Sequence, residues 1–85
     1  MIVGICGLGL IGGSMAKAYK ADGHTVYTYD IDPATLGFAA LDGISDAVLD
    51  ESTLPSCDLL FIALYPRAAV TYLQTVAPKI GRAHV

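Results

Sequence analysis

Eighty-five residues hold one small domain or a piece of a larger one, since ordinary domains run to about 100–200 residues. Hydrophobic residues make up 54% of the chain and charged ones 15%, with a mean hydropathy of +0.57; this excludes intrinsic disorder and points to elements covered on more than one side. Five Lys plus Arg against eight Asp plus Glu give a net charge of −3 with no basic cluster, which argues against nucleic acid as a partner.

Ile2-Val3-Gly4-Ile5-Cys6 is a continuous apolar run bounded by glycine, the pattern of a strand buried on both faces of a parallel sheet. The uncharged stretch Met1–Ala16 is not expected to be a signal peptide or membrane span. It lacks a positive leading segment, is shorter than the roughly 20 residues a span needs, and contains Gly4, Gly7, Gly9, Gly12 and Gly13. A soluble cytoplasmic protein is expected. From Leu10 to Asp22 a helix is predicted, with Ile11, Met15, Ala18 and Tyr19 on its apolar stripe and Gly23 as a left-handed stop. Thr25–Tyr29 is β-branched and aromatic throughout and reads as a second strand ending at Asp30. The connection is long enough for a parallel crossover.

Asp32-Pro33 has the form of an N-cap followed by proline at the first helical position, opening a short helix over Ala34–Leu41 that Asp42-Gly43 ends. Ala47-Val48-Leu49 reads as a brief strand. Asp58–Leu64 is the most hydrophobic strand of the chain and is expected at the centre of a sheet, and Pro66–Val76 reads as a last helix with Val70, Leu73 and Ala77 on one stripe. Cys6 and Cys57 sit in no metal-ligand or disulfide spacing and read as small buried hydrophobes. No metal site is expected.

Gly7-Leu8-Gly9-Leu10-Ile11-Gly12 is a GxGxxG placed after a strand and opening a helix. In that context the first glycine permits a tight turn, the second lets backbone approach a pyrophosphate, and the third lets the helix pack close to the sheet. The N–H groups at the helix start then favour an anion. Asp30, 18 residues past Gly12 at the end of the second strand, fits the carboxylate that binds the adenosine ribose of NAD. Asp32 reads as a cap, with a second ribose contact as the alternative. Ser14 reads as a helix residue with no base near it, and His24 as a surface turn residue at the opposite end of the strands. Tyr65-Pro66 lies at the carboxyl end of the last strand, where a cofactor-lining role and a strand-stop role are both open. From the residues alone the expected cofactor-binding set is Gly7, Leu8, Gly9, Leu10, Ile11, Gly12, Asp30 and Ile31, with NAD as cofactor.

The run Gly7-Leu8-Gly9-Leu10-Ile11-Gly12-Gly13-Ser14, with the strand ending Ala63-Leu64-Tyr65-Pro66, resembles the amino-terminal signature of the prephenate and arogenate dehydrogenases, and the resemblance implies that Ala63, Leu64, Tyr65 and Pro66 lie along the cofactor. Related hydroxyacid dehydrogenases and imine reductases share this half-domain, and a stand-alone nucleotide-sensing module is a further alternative. The resemblance implies an oxidoreductase that oxidises and decarboxylates prephenate or arogenate on the route to tyrosine, acting as a homodimer. It also implies further strands and a helical domain, and a catalytic histidine and serine, beyond the region matched here. Neither His24 nor His84 inherits a catalytic role. The fold expected is α/β, a half-Rossmann three-layer arrangement with a parallel sheet in strand order 3-2-1-4. Residues 1–79 form the partial dinucleotide-binding domain, and Ile80-Gly81-Arg82-Ala83-His84-Val85, which one frame of a common sequencing adapter encodes, is expected to be a non-native tail.

Overall fold

The structure, a computed structural model, describes residues 1–64, 66–79 and 81. Its elements run β1 (Ile2–Cys6), α1 (Leu10–Ala21), β2 (Thr25–Tyr29), α2 (Pro33–Leu41), β3 (Ala47–Val48), β4 (Leu59–Ile62) and α3 (Pro66–Val76), with short 3-10 turns at Leu54–Ser56 and Ala77–Lys79. Every strand pairing is parallel and the sheet order is β3-β2-β1-β4. The register sets Cys6 beside Tyr29 and Ile62, so the carboxyl ends of three strands finish level with one another. Among the described residues no helix is long and apolar enough to cross a membrane.

Alternation along β1 divides the core between the two faces of the sheet. Val3 and Ile5 join Val26 and Ala16 on the α1 side, with Leu8, Met15, Tyr19 and Phe61 packed against them. Cys6 joins Leu49, Leu54, Cys57, Leu60 and Val76 on the α3 side. Both faces of β1 are therefore covered, as its unbroken apolar sequence requires, and each large side chain buried there contributes about 1.5–3 kcal/mol. Gly4 leaves room on the α3 side: a Cβ at this position would stand 2.9 Å from the Cys57 sulfur.

Three sequence expectations are corrected. On α1 the buried positions are Gly12 and Ala16, with Met15 and Tyr19 half-buried, while Ile11 and Ala18 face out; Ile11 is 71% exposed. On α3 the inward positions are Ala69, Tyr72 and Val76, and Val70, Leu73 and Ala77 are exposed. β4 is shorter than Asp58–Leu64 and stands at the edge of the sheet, hydrogen-bonded to β1 alone among the described residues.

Carboxylates fasten the loops. Asp46 accepts the Val26 N–H at 2.8 Å and pairs with Lys20, joining the end of α1, β2 and the approach to β3. The Lys20 ammonium, and next the Val26 N–H, hold the Asp46 carboxyl below its ordinary range. Asp58 accepts the Ile2 N–H at 2.8 Å and ties the approach to β4 onto the start of β1. Tyr65, Ile80 and residues 82–85, and with them most of the expected tail, lie outside the described residues.

Candidate functional site

The turn between β1 and α1 is built by three glycines with separate tasks. Gly7 has φ +96°, a left-handed conformation that suits glycine, and its N–H donates to the Tyr29 carbonyl at 2.8 Å. A Cβ on Gly7 would lie 2.4 Å from the Ala63 carbonyl oxygen, so the turn sits hard against the end of β4. A Cβ on Gly12 would come within 1.8 Å of the Gly7 carbonyl oxygen, which makes glycine the condition for seating α1 on the turn. At Gly9 a Cβ would meet nothing within 4 Å. The backbone there opens onto free space that a ligand can enter.

Gly9 is also the N-cap of α1, so no side chain caps the helix, and its first turn carries no acidic residue. The leading N–H groups of a helix have no intrahelical carbonyl partner and attract anions. The turn thus meets the physical requirements of a pyrophosphate seat: glycine at the point of approach, open space, uncapped donors and no opposing charge in the first turn.

Asp30 follows β2 directly and is half-buried beside this turn. One carboxylate oxygen accepts the Leu8 N–H at 2.8 Å and the other accepts the Asp32 N–H at 2.9 Å. The Leu8 contact spans 22 residues and no sequence signal announces it. Ile31, next to Asp30, is 84% exposed. Asp32 is the cap of α2: its oxygens accept the Ala34 N–H at 3.1 Å and the Thr35 hydroxyl at 2.9 Å. Ser14 turns back on its own helix and donates to the Leu10 carbonyl. His24 lies at the other end of the sheet, beside the amino terminus and Tyr19.

At the end of β4 the Ala63 N–H donates to the Cys6 carbonyl at 2.8 Å, which draws Ala63 and Leu64 alongside the turn. Tyr65 lies outside the described residues, and Pro66 is the first residue of α3. Beneath this end of β1 the Cys6 thiol is buried with Tyr72 against it; burial pushes the thiol up to about 11 and pushes the Tyr72 hydroxyl up as well. A shallow groove of about 480 Å³ continues from Leu8 and Gly9 between α1 and α2, with Lys17, Phe38 and Asp42 along its sides. A second depression, at the far end of α1 by Tyr19 and Asp22, shares no residue with the turn.

The model of the NAD-binding domain of 6-phosphogluconate dehydrogenase matches residues 2–81. The chain belongs to that family. NAD is accordingly the cofactor of this domain. Among solved structures, arogenate dehydrogenase of Synechocystis is similar with a TM-score of 0.89 and 26% identity, over 98% of this chain and 31% of that one. Prephenate dehydrogenase of A. aeolicus, solved in complex with hydroxyphenyl propionate and NAD+, is similar with a TM-score of 0.85 and 25% identity, over 100% of this chain and 32% of that one. An imine reductase of Bacillus cereus, at 19% identity and a TM-score of 0.79 over 96% of this chain and 29% of that one, shares the fold. No curated protein matches the chain. This NAD-binding domain spans about a third of the length of the dehydrogenases it resembles.

Proposed function

We propose that the chain is the NAD-binding part of a prephenate dehydrogenase-like oxidoreductase, which in its intact form oxidises and decarboxylates prephenate or arogenate. The observation that carries this reading is the likeness to the Synechocystis enzyme over 98% of the chain, joined to a turn whose second glycine opens onto free space. Gly7, Gly9 and Gly12 shape the pyrophosphate seat, with Leu8, Leu10 and Ile11 supplying its backbone. Asp30 takes the adenosine ribose, Ile31 flanks it, and Ala63, Leu64, Tyr65 and Pro66 border the nicotinamide half. When bound, the nicotinamide supplies the hydride acceptor, and the work of these residues is to place and orient it. The acid/base group and most of the substrate pocket belong to chain beyond this domain, and the intact enzyme is a cytoplasmic homodimer of tyrosine biosynthesis in this reading.

The domain comprises residues 1–79, and residues 80–85 are a foreign tail. The genomic reading frame past Lys79 tests both points. Expressed whole, its product is expected to form NADH with prephenate or arogenate, whereas the 85-residue chain forms none above a heat-killed control. NADH production by the 85-residue chain, or turnover of neither acid by the whole product, overturns the proposal.

A further inference from the structure

Asp30 is bonded to the glycine turn itself. Each of its carboxylate oxygens accepts a backbone N–H, one from Leu8 inside the glycine-rich turn and one from Asp32 in the next loop. Hydrogen bonds to an ionised carboxylate are roughly twice as strong as neutral ones. The Leu8 bond grips the turn between Gly7, held by Tyr29, and Gly9, the open point of approach. It also commits the Leu8 N–H to protein, so donors for a phosphate come from the residues that follow.

From this geometry we infer that Asp30 is a positioning residue for the pyrophosphate turn, in addition to its contact with the ribose. The inference rests on the site reading above and couples the two halves of that site through one carboxylate. A carboxylate oxygen has two lone-pair positions, so one backbone donor on each leaves capacity for ribose hydroxyls. Loss of the carboxylate therefore reaches a ligand that has no ribose at all.

Inorganic pyrophosphate is such a ligand. The 85-residue chain, Asp30→Ala and Asp30→Asn are titrated with NAD and with pyrophosphate, and hydrogen exchange of the Leu8 amide is followed without ligand. In the unmutated chain the Leu8 amide is expected to exchange at least tenfold more slowly than that of Gly9. Asp30→Ala is expected to remove this protection and to weaken pyrophosphate about tenfold. Charge alone predicts the opposite sign, because removing a carboxylate beside an anion site tightens binding. Asp30→Asn is neutral but keeps a carbonyl acceptor, so it is expected to bind pyrophosphate more tightly than Asp30→Ala.

Pyrophosphate binding unchanged or tightened in Asp30→Ala, with NAD weakened, overturns the inference and leaves a ribose contact only. An unprotected Leu8 amide in the unmutated chain also overturns it, and that measurement stands even if Asp30→Ala does not fold. Binding of neither NAD nor pyrophosphate by the unmutated chain defeats the site reading instead, while Leu8 exchange still decides the clamp.

Discussion

The carbonyl oxygen of Gly7 occupies the space beside Gly12 so closely that a Cβ on Gly12 would lie 1.8 Å from it. Both partners of this contact are backbone, so no rotamer change can relieve it. Gly12→Ala must lift α1 off the turn, at about 1–3 kcal/mol or more. A fall in thermal midpoint with weakened NAD binding is expected in melts and calorimetry. Gly9→Val is expected to behave differently. Gly9 has φ −66° and open space, so circular dichroism should be unchanged while NAD binding is lost to the side chain at the point of approach.

Asp30 is also expected to set the choice of cofactor. A 2′-phosphate brings about −1.5 to −2 charges against its carboxylate. Two unit charges about 4 Å apart repel by roughly 1 kcal/mol in water and about 4 at an effective dielectric near 20. Ile31, Asp32 and Pro33 offer no cation to offset this. NAD is expected to bind at least tenfold more tightly than NADP, and Asp30→Ser to erode the ratio. Equal affinities in the unmutated protein would sink the assignment.

Much of this site is legible in the sequence because its parts are local. Glycine spacing, a carboxylate after β2 and the Asp32-Pro33 cap act within a few residues of themselves, and the parallel order follows from alternating strands and helices. Helix faces are less legible. A stripe through Ile11 and Ala18 assumes that large apolar residues turn inward, but α1 sits so near the sheet that Gly12 and Ala16 make the contact. On α3 a polar-tipped residue, Tyr72, goes inward beside Cys6, and Val70 and Leu73 stay out. The Leu8–Asp30 bond depends on how two loops meet in space, which no periodicity encodes.

Asp46 offers a test of stability against pH. Its folded carboxyl is held below its unfolded value by Lys20 and the Val26 N–H, so its contribution is present above about pH 4 and is lost as pH falls through the lower folded value. Asp46→Ala is expected to lose about 1–2 kcal/mol at pH 7, largely from the unpaired Val26 N–H. Denaturant melts should show the gap to the unmutated chain narrowing as pH drops below about 4. A gap constant across that range would contradict the assignment.

Cys6 and Cys57 are both fully buried, and burial raises both thiols, Cys6 to about 11. Only thiolate reacts, so neither is expected to take up an alkylating reagent at pH 8 in the folded chain. Both should react at once in denaturant. Rapid labelling of either one under native conditions, measured by mass shift, would refute this.

β1 holds the earliest residues of the fold and also an interior place in its sheet, with Val3 set against Leu59 across 56 residues of chain. At synthesis rates of about 5–20 residues per second, roughly 3–11 s separate the two partners. Throughout that interval one backbone edge of an Ile-Val-Gly-Ile-Cys strand waits uncovered. The second edge of β1 is thus covered only by the last strand of the sheet, so the pairing that encloses β1 joins the two ends of this fold.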